Sequence, residues 1–458
     1  MQRENWSSKF GFIMAAAGSA VGLGNIWRFP YVTGTNGGAA FVFVYIMCVV
    51  LIGAPLLFNE MGLGRYTQKN PFGAFRKTGS NGFFLLFGAI LGILVSFFVL
   101  SYYGVIAGWT IAYIYKSLFN DPTPFEDLVS NGPLIVSLMG FFLLITVIIV
   151  LGGISGGIEK AAKVLMPLLF VLVLVVITRS LTLDGAAAGV DYYLNPDFSK
   201  VNAKVVLAAL GQAFFSIGVG WGIMITYGSY LSKDTDIVNS ALWVGFLDAG
   251  VALLGGLMVF PAVFAFDKDP AAGPSLVFSV LPDVFTEMPG GPVFGAAFFL
   301  LLAVAALTSS ISMLEVPASY FIDDRKWSRK KAAITVAILL FLAGVPSALS
   351  YGGNSFFTEL SVPKLDGSMT SDGWFGMLDY YFGTLFITLV ALFTSIYVGW
   401  GMDTKLVRDE IGDASAIFTR KFFRNISFAS LWVFFIKYVC PVVIALVFLD
   451  MIGIFGTA

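Results

Sequence analysis

Of 458 residues, 58% are hydrophobic and only 12% are charged, with a net charge of −1 and a mean hydropathy of +0.87. A soluble chain carries roughly a quarter charged residues, so this one lacks the polar surface to cover its apolar mass, and lipid is the expected solvent. The chain has no histidine and only two cysteines, Cys48 and Cys440, both in apolar runs, which excludes zinc, haem and iron–sulfur ligand sets, and no basic stripe suggests nucleic acid.

A bilayer interior offers backbone groups no partners, so spanning segments are helices or closed barrels. The apolar runs here, about 20 residues or longer, have helix length. The fold expected is an all-α polytopic membrane protein of eleven spans, with lipid on all sides and no separate soluble domain. The first span, 9–35, follows MQRENWSSK, a charged start leading into a run too long for a signal peptide. It contains Gly18-Ser-Ala-Val-Gly22-Leu-Gly24-Asn25 and Arg28. The second, 39–66, holds Glu60, an intramembrane acid expected to bond backbone N–H groups of an unwound segment. The third to fifth cover 83–116, 133–151 and 159–181. Gly157 and Pro167 bracket the start of the fifth, where Pro weakens a helix, giving either local unwinding or a static kink. The sixth, 205–230, contains Ser216-Ile-Gly218-Val-Gly220-Trp-Gly222. The seventh is 237–265, and the loop 266–291 after it is expected to hold a short helix from Pro274 to Phe285. The last four spans are 292–322, 331–350, 373–401 and 426–455. Glu315, Asp379 and Lys437 lie inside them, and Lys437 has the plain reading of a snorkelling side chain.

Lys and Arg fix the direction. With the N-terminus inside, only Lys116, Arg179, Lys200, Lys204, Lys268 and Lys364 fall on outer segments, while most of the 27 basic residues fall inside. The C-terminus is then outside. Glycine at every second position weakens a helix and recurs in two spans five apart. Close packing of small residues explains Gly18 and Gly22 well and the pair of i, i+2 patterns less well. The alternative is that both helices unwind at mid-membrane, where freed carbonyls attract a cation and free N–H groups an anion. Paired broken helices in a five-plus-five inverted repeat (9–181 and 205–401, with the last span added) mark secondary transporters.

The segment Gly18-Ser-Ala-Val-Gly-Leu-Gly-Asn-Ile-Trp-Arg-Phe-Pro30 resembles the signature of the neurotransmitter:sodium symporters, above all their bacterial amino-acid branch. Asn36–Phe41, Gly53-Ala-Pro55, Glu60, Met61–Arg65, Pro167, Gly211–Phe215, Thr226–Tyr230 and Ala306–Ser310 extend the resemblance through the tenth span. Many members have twelve spans; eleven is a departure at the C-terminus.

The resemblance implies two co-transported sodium ions. The first would be held by the Ala20 carbonyl, Asn25, Ser216, a seventh-span side chain and the substrate carboxylate. The second would use the carbonyls of Gly18, Val21 and Ala305 with the hydroxyls of Thr308 and Ser309. Neutral oxygens suit such a hard cation, although helical hydroxyls also bond back to their own carbonyls. Where the family often has Asn in the seventh span, Asp248 stands here. It would supply the negative charge that other members take from chloride, making chloride unnecessary; an Asp in a water-filled gap is the plainer alternative. The resemblance further pairs Arg28 with Asp379, beside Gln212, as an outer gate, and sets Arg3, Trp6 and Asp323 at an inner one. Taken alone, Arg3 reads more readily as an ordinary inside-facing charge.

The substrate pocket implied by the resemblance is lined by Ala20, Gly22, Leu23, Gly24, Val99, Tyr103, Phe215, Ser216, Gly218, Trp221, Ser309 and Met313, with Tyr103 bonding the substrate carboxylate. Monoamine-carrying relatives place an Asp where Gly22 stands. None of these positions is charged, so the expected cargo is a neutral amino acid, mainly hydrophobic, aliphatic or aromatic, moved by alternating access. The short outer loops point to a prokaryotic plasma membrane, and no obligate protein partner is expected. A channel would want a symmetric filter and an intramembrane enzyme a nucleophile–base pair or metal; neither pattern stands out.

Overall fold

The computed structural model describes residues 4–271, 276–423 and 426–454. Nearly all of the apolar runs are helical. In chain order they are α1 (Lys9–Ala20), α2 (Gly24–Thr35), α3 (Ala39–Thr67), α4 (Gly82–Phe119), α5 (Gly132–Leu151) and α6 (Ile154–Leu181). There follow α7 (Ala203–Ile217), α8 (Ile223–Gly228), α9 (Ile237–Ala265), α10 (Gly291–Asp323), α11 (Arg329–Leu349), α12 (Gly373–Gly401) and α13 (Phe428–Met451). Among the described residues, nine of these are long and apolar enough to cross a bilayer alone, and α1 with α2 forms one further span bent by 50°. The one remaining expected span, the sixth (205–230), is divided into α7 and α8, neither of which is long enough to cross by itself. The only strands among the described residues form a small antiparallel hairpin, Lys421–Phe423 with Ile426–Ser427.

Helix starts follow local capping chemistry. Ser8, Asn202, Asp236, Ser328 and Ser427 each accept a backbone N–H from the first turn of α1, α7, α9, α11 and α13. Of the nine helices that cross alone, α10 is the most buried, with its most extensive contact along α4, and α1 is enclosed by α6, α9 and α10. The periphery is apolar and exposed, as at Ile148, Val171, Phe246 and Val442, which is the surface a lipid environment demands. Pro167 stays inside α6, preceded by a π-turn at Ile154–Glu159. The outer helix expected from Pro274 runs over Leu276–Glu287 in the described residues, with Leu276, Phe278 and Leu281 buried; Pro274 lies outside them. Cys48 and Cys440 are free and buried.

Candidate functional site

The two breaks face each other and are made by different means. α7 ends at Ile217 because Gly218, Gly220 and Gly222 have φ of 73°, 82° and 72°, values that L side chains rarely adopt. Three left-handed residues at alternate positions unwind the chain completely. The Gly220 N–H, freed from any helix, donates to Glu60 Oε1 at 2.7 Å, while Glu60 Oε2 is buried without a partner. Ser96 Oγ donates to the freed carbonyl of Trp221 at 2.6 Å.

At the first break no glycine has a positive φ. Val21 turns extended instead (ψ 98°) and α2 opens with a π-turn. Asn25 Oδ1, in the first turn of α2, reaches back to accept the Gly22 N–H at 3.1 Å. The glycines here provide room. A Cβ on Gly22 would lie 2.5 Å from Ser309 Oγ and 3.1 Å from the Tyr103 hydroxyl, one on Gly24 2.8 Å from the Phe215 ring, and one on Gly18 3.2 Å from Thr308 Cβ.

Between the breaks lie two oxygen clusters. In the first, Asn25 Nδ2 donates to Asp248 Oδ1 at 2.7 Å, to the Asp248 carbonyl at 2.9 Å and to Ser216 Oγ at 3.1 Å. The Ser216 hydroxyl reaches both Asp248 carboxylate oxygens, at 2.8 and 3.0 Å, and accepts from the Tyr45 hydroxyl at 3.1 Å. Asp248 is fully buried, and no cationic side chain pairs with it among the described residues. Neutral donors alone leave a buried carboxylate with uncompensated charge, a costly arrangement. In the second cluster, Thr308 Oγ1 donates to the Ala305 carbonyl at 2.9 Å and lies 3.5 Å from that of Val21, and Ser309 Oγ reaches the Ser19 carbonyl at 3.1 Å. Gly18, Val21, Ala305, Thr308 and Ser309 are thus brought together. The Ser309 hydroxyl bonds the carbonyl of Ser19 where Gly18 was the expected neighbour. These hydroxyls do bond back to their own helix, yet they also cross to α1. No group of three or more Cys, Asp or Glu suited to a transition metal occurs among the described residues.

A cavity of about 30 Å³ separates the clusters, lined by Ser19, Ala20, Gly22, Gly24, Tyr103, Phe215, Gly218, Trp221, Ile223, Ser309 and Met313. It is uncharged and has room for no more than a few waters. Leu23 and Val99 are buried beside it without lining it, and Ser216 sits behind it in the first cluster. The Tyr103 hydroxyl accepts the Leu23 N–H at 3.2 Å. Trp221 Nε1 is buried with no hydrogen-bond partner among the described residues.

Above the cavity, Arg28 stacks 4.5 Å over the Phe215 ring and donates to Gln212 Oε1 at 3.3 Å, and Gln212 Nε2 donates to the Gly24 carbonyl at 3.1 Å. Asp379 accepts the Tyr102 hydroxyl at 2.9 Å. The expected Arg28–Asp379 ion pair does not close within 4.0 Å in this structure: each side chain is held by a neutral partner, Gln212 for one and Tyr102 for the other. Below, Trp6 donates its indole N–H to the Tyr227 carbonyl at 3.0 Å and packs edge-on against that ring. Asp323 accepts from the Asn70 backbone and side chain at 3.0 and 3.2 Å. Arg3 lies outside the described residues.

Several groups at this inner end were missed or left open by the sequence. Ser7 and Ser8 donate to Glu159 at 2.6–2.8 Å, and Lys163 pairs with it at 2.6 Å. Glu4 accepts the Ile154 N–H at 2.7 Å and pairs with Arg329 at 2.9 Å. Arg329 also pairs at 2.7 Å with fully buried Glu315, which accepts the Tyr230 hydroxyl. Arg329 had counted only as an inside-facing charge, and single acids such as Glu4 carry no pattern. The buried tyrosines Tyr45 and Tyr102 likewise look like ordinary apolar residues in an apolar helix.

Comparison with known proteins places this architecture. The sequence profile of the Sodium:neurotransmitter symporter family matches residues 3–131 and 125–455. An uncharacterized sodium-dependent transporter of Bacillus subtilis, YhdH, is 37% identical over 458 residues, 98% of each chain. An uncharacterized sodium-dependent transporter of Haemophilus influenzae is 34% identical, again over 98% of each. The crystal structure of MhsT in complex with L-phenylalanine superimposes with a TM-score of 0.86 at 40% identity, over 98% of this chain and 100% of that one.

Proposed function

The chain belongs to the sodium:neurotransmitter symporter family, and from that membership in a family of sodium-coupled membrane transporters we propose that it imports neutral, mainly hydrophobic L-amino acids together with two sodium ions. The observation that carries the ion reading is the buried Asp248 carboxylate with only neutral donors around it. A cation bound by Asp248, Asn25, Ser216 and the Ala20 carbonyl balances that charge, and the substrate carboxylate completes its shell. The second sodium takes the carbonyls of Gly18, Val21 and Ala305 and the hydroxyls of Thr308 and Ser309; the two hydroxyls already reach the Val21 and Ala305 carbonyls. Asp248 stands in for chloride, so transport is chloride-independent.

The substrate reading rests on the cavity wall. Its lining is uncharged, so a charged side chain would be buried without a counter-ion. Phe215, Trp221 and Met313 are the groups that rearrange to admit bulk, methionine being the most adaptable. MhsT, similar over its whole length, was crystallised with L-phenylalanine. The α-carboxylate is received by the Tyr103 hydroxyl and the Gly24 backbone at the cavity wall, and by the Leu23 N–H once it is released from Tyr103. By alternating access, Arg28, Gln212 and Asp379 gate the outer side and Trp6, Asp323 and Arg3 the cytoplasmic side, between two inverted five-helix halves in the cell membrane with the N-terminus inside.

The test is uptake of labelled phenylalanine and leucine into proteoliposomes with sodium or potassium outside, competed by a panel of amino acids. Saturable uptake only with sodium, inhibited by aliphatic and aromatic amino acids but not by glutamate or lysine, is expected. Inhibition by glycine alone or glutamate alone overturns the substrate assignment.

A further inference from the structure

A second cavity, about 350 Å³ and almost wholly apolar, opens sideways between α4, α10, α11 and the short helix Pro71–Lys77. Its wall includes Phe72, Phe97, Pro317, Tyr320, Phe321 and Leu339. Leu339 and the neighbouring Leu94 are also exposed on the outer surface, so the cavity communicates with the hydrocarbon around the protein.

Its rim is built differently. Phe72 and Tyr320 meet edge-on at 5.4 Å, and each carries an arginine: Arg76 lies 5.6 Å over Phe72 and Arg325 5.8 Å over Tyr320. Phe321 stacks at 4.7 Å on Trp327, over which Lys331 sits at 4.3 Å. The apolar walls therefore end in three cations resting on aromatic faces, the stacked geometry in which arginine is weakly hydrated and ready for an anion. Arg76, two-thirds exposed, also pairs with Asp324 at 3.2 Å, and Asp324 accepts from Asn70. Arg325 and Lys331 are exposed and form no ion pair among the described residues. The rim lies on the side where basic residues concentrate, the cytoplasmic face of the proposed topology.

We propose that this cavity binds one anionic phospholipid of the inner leaflet, its acyl chain between α4, α10 and α11 and its phosphate against Arg76, Arg325 and Lys331. A zwitterionic lipid satisfies the apolar wall and also brings a phosphate, but its headgroup cation offsets that charge and leaves the net charge of Arg325 and Lys331 uncompensated. Basic pockets at the cytoplasmic ends of membrane helices recognise headgroups in this way. Because α10 carries Thr308 and Ser309 at its centre, the occupant touches the helix that holds the second oxygen cluster.

The experiment is native mass spectrometry of the full chain released from nanodiscs of equimolar phosphatidylglycerol and phosphatidylcholine. Retention of one phosphatidylglycerol at roughly ten times the phosphatidylcholine level is expected. The double variant Arg325→Gln/Lys331→Gln, which leaves the Arg76–Asp324 pair intact, is expected to bring that preference below about threefold. Leu339→Trp, which fills the cavity, is expected to remove the retained lipid. Elution volume and sodium-dependent uptake confirm that each variant is folded. Equal retention of the two lipids, an unchanged preference in the double variant, or undiminished retention in Leu339→Trp overturns the proposal.

Discussion

Asp248 shows what one residue asks of its surroundings. Its carboxylate is bonded by Asn25 and Ser216, which contribute dipoles but no charge. A sodium ion at this cluster is therefore held chiefly by Asp248, and removing one partner of a buried pair costs about 3 kcal/mol or more, roughly a hundredfold in affinity. Asp248→Asn keeps the size and can still bond Asn25 and Ser216. It is expected to raise the sodium concentration for half-maximal uptake at least tenfold, whereas replacing external chloride with gluconate leaves the unaltered protein's uptake unchanged. The sodium dependence of uptake measured in both salts checks this. Collapse of uptake in gluconate, or a normal sodium curve for the variant, removes Asp248 from the ion site.

At the scale of the element, the same sequence pattern does two different jobs. In the sixth span the alternating glycines set the dihedral angles of the break; in the first they clear space for Phe215, Ser309 and Thr308. Gly220→Ala places an L residue at φ 82° and its Cβ 2.5 Å from the Ile387 carbonyl. A left-handed L residue alone costs about 1–2 kcal/mol, so both thermal stability and uptake are expected to fall, the latter by about tenfold or more. Gly211→Ala, within helical α7 and with open space at its Cβ, is the control and is expected to be neutral or stabilising by up to about 1 kcal/mol. Thermal unfolding in detergent and uptake distinguish the two; equal behaviour means that the break does not depend on its glycines.

The same contrast explains what was legible beforehand. Span positions were readable to within a few residues because twenty apolar residues in a row have few alternatives, and the break in the sixth span was readable because glycine is the residue for positive φ. The neutral oxygens at Asn25, Ser216, Thr308 and Ser309 became legible only through resemblance, since a hydroxyl in a helix has a bland local use. The partners of Arg28 and Asp379 were not legible. Gln212 and Tyr102 reach them from other helices, and one chain read in order carries no record of which neutral group wins over an ion pair.

For the whole molecule, two sodium ions and a zwitterion would carry two net charges, worth about 4.6 kcal/mol per 100 mV. That work is captured only if the inner side stays closed while ions load from outside. We infer that the N-terminal segment acts as the latch, because Ser7 and Ser8 hold Glu159 on α6, Glu4 holds the Ile154 N–H and Arg329, and Arg329 holds Glu315 on α10. The bonds to Glu159 come from Ser7 and Ser8, immediately before α1, so in the proposed topology releasing them would free the inner half of the broken first span and expose the second oxygen cluster to the cytoplasm. Glu159→Ala removes an acceptor that takes three hydrogen bonds and an ion pair. Charged hydrogen bonds contribute about 1.5–3 kcal/mol each, and part of this is recovered by hydration once the latch opens. The equilibrium is expected to shift toward the inward-open form by about 1–2 kcal/mol. Hydrogen exchange should then rise about tenfold along residues 6–14 and 154–162 while staying unchanged at the outer ends of α4 and α10. Saturating sodium is expected to restore part of the protection, because an ion that favours the closed form moves the population back. Uniformly faster exchange through the whole bundle would mean that Glu159 only stabilises the fold, and unchanged exchange would mean that the inner closure does not rest on it.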